Sequence, residues 1–165
     1  MEVRRAERSD LLGIGRVLNE VLWATYGDFL PFPAAAEALS FATSPTELKR
    51  RMLDGGLFVA VDERRMVRGC GVVELGPETA MVRTIAVDES LRRLGIGHRL
   101  MEAMRGAAGG RPVSMRVFLG SLEAEHFAER EGFVPGEVLE GALGGHPVVE
   151  RRWWFAPVAG AVGST

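Results

Sequence analysis

TAMVRTIAVDESLRRLGIGHRLMEAMRGAA, residues 79–108, is the stretch that decides the fold. It reads as strand, tight turn, helix. Met81 to Val87 is rich in apolar and β-branched residues, as a buried strand should be. Asp88, Glu89 and Ser90 break the run with a polar turn, and Arg92-Arg93-Leu94-Gly95-Ile96-Gly97 follows. From there Ile96, Leu100, Met104 and Ala107 recur at three- and four-residue spacing, one face of a helix. The first N–H groups of a helix have no intrahelical partner and carry partial positive charge. Gly95 and Gly97 remove two Cβ atoms where an anion would approach those groups, and Arg92 and Arg93 add charge beside them. The turn therefore reads as a diphosphate cradle at a helix N-terminus. It is not a Walker loop, because His98-Arg99 stands where Lys-Ser/Thr is needed. It is not the dinucleotide fingerprint either, which needs a third glycine.

The rest of the composition narrows the class. A chain of 165 residues is long enough for one domain with a real core. A net charge of −2 argues against a broad nucleic-acid or membrane-binding surface. Cys70 is the only cysteine, so no internal disulfide forms, and it is expected to pack as a small apolar residue in a strand. No apolar run approaches a membrane span and no signal-like h-region follows MEVRRAERSD, so a cytoplasmic location is expected.

Outward from the centre, Glu2 to Ala6 reads as a short strand, with Ser9 and Asp10 able to cap a helix marked by Leu11, Ile14, Val17, Leu18, Val21 and Leu22. Trp23 to Thr43 has no clear period and is expected to be a loop with a short helix near Ala34 to Leu39. Ser44-Pro45-Thr46-Glu47 is a capping box that starts a helix ending at Gly55-Gly56, with Lys49, Arg50 and Arg51 on its solvated face. Leu57 to Val61, Met66 to Leu75 and the strand at 81–87 form an antiparallel meander, weakened at Gly69 and Gly71. Beyond the central helix come a strand over Val113 to Leu119 and a short helix from Ser121 to Glu131, closed by Gly132-Phe133. Two last strands, Val134 to Glu140 and Val148 to Phe155, are joined by Gly141 to Pro147. Residues 1–156 make one domain in this reading, and 157–165 a flexible tail.

Arg92-x-x-Gly95-x-Gly97 after a strand ending Ile85-Ala86-Val87-Asp88 resembles the acetyl-CoA site of the GNAT N-acyltransferase superfamily. A second likeness supports it: Ala124, Phe127, Gly132 and Phe133 fit the family's Asn-x-x-Ala-x-x-Phe-Tyr-x-x-x-Gly-Phe. The fold implied is α/β: a GNAT-like, mostly antiparallel twisted sheet of six to seven strands with helices on both faces. The resemblance implies an acetyl-CoA-dependent N-acetyltransferase that uses no metal and acts on a primary amine of a small molecule or peptide. The runner-up is an acyl-CoA-binding domain that has lost catalysis. Dimerisation through the last strands is frequent in such folds.

By the same resemblance, the pantetheine arm pairs with the backbone of Ile85, Ala86 and Val87 in the manner of an added strand. The diphosphate takes backbone N–H groups from Arg93, Leu94, Gly95, Ile96, Gly97 and His98, with charge from Arg92 or Arg93. His98 is otherwise a surface helix residue. Phe127 belongs to the second motif. Ser121 stands at the family's Asn position, as a pantetheine contact or a plain N-cap. The chain departs from the family in two places. Ala128 replaces the tyrosine that usually protonates the leaving thiolate, and no carboxylate lies between Ala80 and Val87. Ser121, His126 and Thr84 are candidate donors, Tyr26 a candidate substrate or catalytic contact, and Glu74 the best remaining base. Asp28, Glu37 or Glu74 could receive a cationic amine.

Overall fold

The computed structural model describes residues 1–156, so the segment 157–165 expected to form a tail lies outside the described residues. The central strand is β4 (Ala80–Val87). Before it come β1 (Glu2–Arg5), β2 (Leu57–Val61) and β3 (Val67–Leu75); after it come β5 (Val113–Phe118), β6 (Val134–Leu143) and β7 (His146–Phe155). Among the described residues they form one seven-stranded sheet in the order β1-β2-β3-β4-β5-β7-β6. Every neighbouring pair is antiparallel except β4–β5, which is parallel.

Helices cover both faces. On one side lies α4 (Ile96–Ala108), whose Ile96, Leu100, Met101, Met104 and Ala108 are buried against Phe58, Ala60, Val73 and Val82. The helix sits close because β3 carries no side chains beneath it at two points. A Cβ at Gly71 would lie 2.8 Å from Met104 Sδ, and one at Gly69 would lie 3.3 Å from Leu100 Cδ1. These glycines make room for a helix rather than merely weakening the strand. On the other side α1 (Leu11–Phe29) and α3 (Pro45–Leu53) bury Ile14, Val17, Leu18, Leu22 and Leu48 against Leu57, Val59, Cys70 and Val72. Cys70 is fully buried there, and burial pushes its thiol up to about 12.

Four local expectations need correction. Trp23 to Thr43 is not mainly loop: α1 continues to Phe29, and α2 (Phe32–Ala42) follows after Pro31. The buried positions 14, 18 and 22 lead on to Tyr26 at the same four-residue spacing. Ser44 accepts the Glu47 N–H, but the Glu47 carboxylate turns to Arg50 and Arg51 rather than back to the cap. Arg51 is therefore buried, not on a solvated face. Finally, β6 and β7 run on to a two-residue turn at Gly144-Gly145, both with positive φ, as a tight hairpin of matching twist requires.

Asp10 also differs from expectation. It does not cap α1 with its side chain. It is buried, accepts the Glu7 N–H at 2.7 Å, and takes a bidentate pair from Arg4 at 2.7 and 3.2 Å. Burial alone would raise its pKa, but these hydrogen bonds outweigh it and hold the carboxyl below its ordinary value. A lowered carboxylate stabilises the fold above the ordinary range near pH 4 and loses that contribution as pH falls through the lowered value. Asp10→Asn is thus expected to cost about 1–3 kcal/mol in urea denaturation at pH 7. The difference from wild type should shrink as the pH is taken toward 3. An unchanged midpoint at pH 7 would show that the Arg4–Asp10 pair contributes nothing.

Candidate functional site

The sheet splits at its centre. β4 pairs with β5 only through Ala80, Met81 and Val82, opposite Val113, Ser114 and Met115. Beyond these residues β5 follows β7 as far as Phe118, while β4 follows β3 as far as Val87. The cause is local. Val72 pairs with Thr84 and Val73 with Val82, so Arg83 is an extra residue on β4, a bulge that bends the strand. The backbone from Thr84 to Val87 is thereby left without a strand partner on its β5 side.

The unpaired edge runs directly into the predicted cradle. Asp88 fixes the exit from β4: it accepts the Ser90 N–H at 3.0 Å and the Ser90 hydroxyl at 2.7 Å, and pairs with Arg68 at 3.0 Å. These contacts hold its carboxyl below its ordinary value. Arg93 (φ 67°) and Gly95 (φ 81°) then adopt left-handed backbone, and α4 begins. The Gly95 carbonyl accepts from Arg99 N–H at 3.1 Å. That is the first bond of α4, so the backbone N–H groups of Ile96, Gly97 and His98 have no intrahelical acceptor. Successive free N–H groups in such a turn form an anion-binding nest. A Cβ built on Gly95 meets nothing within 4 Å, so that position faces open space.

The cradle's side chains sort differently from the sequence expectation. A Cβ on Gly97 would lie 3.2 Å from Phe127 Cε2, so Gly97 makes room for the α5 ring (α5, Leu122–Arg130). Arg92 is bound to Glu123 at 2.8 Å, whereas Arg93 has no ion pair among the described residues. His98 directs Nδ1 to Glu131 at 3.0 Å and Nε2 to Glu102 at 3.3 Å, so its ring faces carboxylates and only its N–H joins the nest.

On the α1 side the split opens into a cleft of about 640 Å³. Tyr26, Arg83, Thr84, Arg116, Phe118, Ser121 and Glu150 all line it, and so does Glu37 on α2. Phe118 stacks on Phe29 at 4.7 Å and meets Tyr26 edge-on at 6.4 Å. The extension of α1 thus carries Tyr26 to the site. Burial pushes the Tyr26 phenol above its ordinary value; Glu150 adds to this and Arg83 opposes it. Ser121 precedes α5 without a side-chain cap bond, which leaves its hydroxyl for the cleft. Ala128 is fully buried in the core beneath α5, so no hydroxyl stands there. His126 is exposed and does not line the cleft. Glu74 is held between Arg83 at 3.5 Å and Arg51 at 3.9 Å, outside the cleft lining.

Glu150 does not stand out in the sequence. It opposes Phe118 in the β5–β7 ladder and has no ion pair or hydrogen bond among the described residues. Burial pushes its carboxyl above the ordinary value, against the pull of Arg116 and Arg83. The signal was present: Val148 is buried, and period-two alternation puts Glu150 on the same face. Among the described residues no group of three or more His, Cys, Asp or Glu is placed to hold a metal ion, and no helix is long and apolar enough to cross a membrane.

Comparison with known proteins agrees with this geometry. The family model described as "Acetyltransferase (GNAT) domain" matches residues 54–135, from the end of α3 to the start of β6. The chain belongs to the GNAT superfamily and carries its acetyltransferase domain. Solved structures share the fold at low identity. PaiA N-acetyltransferase from Thermoplasma acidophilum, in complex with coenzyme A, matches with TM-score 0.74 and 14% identity over 91% of this chain and 96% of that one. A GCN5-related N-acetyltransferase from Rhodopseudomonas palustris matches with TM-score 0.75 and 16% identity over 94% and 95%. Ard1 from Thermoplasma volcanium matches with TM-score 0.68 and 19% identity over 94% and 98%. A search of curated proteins found no match.

The left-handed positions make the nest testable without any ligand. A side chain at Gly95 is strained at φ 81°, so Gly95→Ala is expected to lose about 1–2 kcal/mol of stability. Arg93→Gly relieves the same strain at φ 67° and should be neutral or stabilising by up to about 1 kcal/mol. Thermal denaturation of both variants measures this. Equal losses in the two would contradict the assigned backbone.

Proposed function

We propose that the protein transfers an acetyl group from acetyl-CoA to a primary amine of a small molecule or peptide, by direct attack in a ternary complex. The observation that carries this reading is the unpaired β4 edge leading straight into the nest at Arg93–His98. An extended arm with amides suits the edge of Ile85, Ala86 and Val87, and a diphosphate suits the nest. Open space at Gly95 and the unpaired Arg93 fit that anion. Bound there, acetyl-CoA supplies an activated acyl carbon, whose C–S bond breaks as the acceptor nitrogen attacks. Cytoplasmic location belongs to the same reading.

The chain's own residues then handle protons. Glu150 takes one from the acceptor's ammonium, because it is a carboxylate in the cleft with no internal partner and a raised pKa. A β4 N–H polarises the thioester carbonyl. Tyr26 and Ser121 both line the cleft, and the hydroxyl of either can return a proton to the leaving sulfur. Glu74 is disfavoured as the base by its two arginine partners. The absence of a hydroxyl at Ala128 favours one second reading, an acyl-CoA-binding domain without catalysis.

Two measurements separate these readings. Calorimetry should show acetyl-CoA binding to the wild type, and Gly95→Val should weaken it at least about tenfold. CoA release with a panel of amines should then show turnover, which the binding-only reading forbids. Glu150→Gln is expected to lower kcat/KM by about a hundredfold. It should also remove an acid limb from the pH profile. Glu150 works deprotonated, so wild-type activity falls as pH drops through its raised pKa. A full-rate Glu150→Gln variant would remove Glu150 from the mechanism.

A further inference from the structure

Two arginines stand at the apex of the split. The last β4–β5 pair is Val82 with Met115, and the next residue on each strand is Arg83 and Arg116. Both side chains line the cleft, on the α1 side of the sheet. Like charges on adjacent strands repel. Little within the protein offsets them. Arg116 is exposed and has no hydrogen bond or ion pair among the described residues. Arg83 has one loose pair, at 3.5 Å to Glu74, and Glu74 is shared with Arg51. The carboxylate that faces both from the third strand is Glu150, itself without a hydrogen bond or ion pair.

The arrangement is uncommon for a merely solvated surface. Arg83, Arg116 and Glu150 line one cleft without pairing with one another; of the other charged groups in that lining, Glu47 and Arg51 pair at 2.9 Å and Glu37 stands on α2. Two adjacent guanidiniums without a close internal partner suit an anionic group on a ligand. A guanidinium fork matches a carboxylate in a bidentate pair. An acceptor with an ammonium for Glu150 and a carboxylate for the arginines would give all three groups a partner of opposite charge. Tyr26, Phe41 and Phe118 in the same lining suit an apolar side chain.

We propose that Arg83 and Arg116 form an anion subsite, and that the acceptor is an amino acid or similar amino-carboxylate. This rests on reading the cleft as the site of amine acetylation. The nitrogen loses a proton to Glu150 and attacks the acetyl carbon, the C–S bond breaks and CoA leaves as the protonated thiol; the acceptor's carboxylate stays unreacted on the arginine pair. The subsite fixes where the amine lies and excludes plain alkylamines.

The test is a set of matched acceptors: apolar α-amino acids such as phenylalanine and leucine, their carboxamides, and phenethylamine and isoamylamine. CoA release is followed with acetyl-CoA in the wild type, Arg116→Gln and Arg83→Gln. The free acids should exceed the amides and amines in kcat/KM by at least about tenfold, as expected for a charge-assisted pair. Arg116→Gln breaks no hydrogen bond or ion pair among the described residues, so the fold should survive. It should raise KM for the acids about tenfold more than for the amides, whatever change in the Glu150 carboxyl the two acceptors share. Amides or amines acetylated as well as the acids would overturn the subsite and leave acetyl transfer standing. An acid-to-amide ratio unchanged in Arg116→Gln would do the same. No CoA release with any amine, in protein that is folded, would overturn both readings.

Discussion

The whole arrangement depends on one missing ladder. Between Val82 and Val87 the central strand has a partner on one side only, because the Arg83 bulge turns it away from β5. A buried peptide edge without hydrogen bonds is costly, so such an edge in the middle of a sheet calls for a ligand or water. Everything around the split serves to keep it open. β5 is held by β7 through Phe118, and β4 is held by β3 to its end. Neither strand can close the gap without breaking a ladder it already has.

The packing below makes the opening rigid. α4 sits on β3 because Gly69 and Gly71 let Leu100 and Met104 approach, and that fixes the helix end that carries the nest. Gly97 in turn admits Phe127, which ties the first turn of α4 to α5. The nest and the unpaired edge are thus anchored to the same core. The opposite wall is built from a separate cluster on α1 and α2, with the β6–β7 hairpin packed against it. This wall brings Tyr26, Phe118 and Glu150 together from distant parts of the sequence. The division is physical: a part that suits a diphosphate and an amide arm, and a part that would meet the acceptor.

The legibility of the sequence followed the same division. The strand-turn-helix at 79–108 was readable because strand period, polar turn, glycines and helix period follow one another without interruption. The second motif was readable by its spacing from the first. The α1–α2 region was not, because its helices are broken by prolines and carry aromatics on several faces, so no single period dominates. Tertiary packing against β6 and β7 decides them instead. The role of Gly97 was assigned to an incoming anion, whereas its neighbour is a ring from α5. Glu150 lies on the face of β7 that alternation would give, but only the split makes that face a cleft. Arg83 and Arg116 look like ordinary strand charges until the register shows where pairing stops.

The central claim is that the free edge of β4 and the nest after it act together as one binding surface. The most direct measurement is a CoA titration followed by backbone amide chemical shifts of the isotope-labelled protein. The account predicts the largest shifts in two groups that saturate together, Thr84 to Val87 and Arg93 to His98. Shifts confined to other surfaces, or a spectrum unchanged at millimolar CoA, would contradict it.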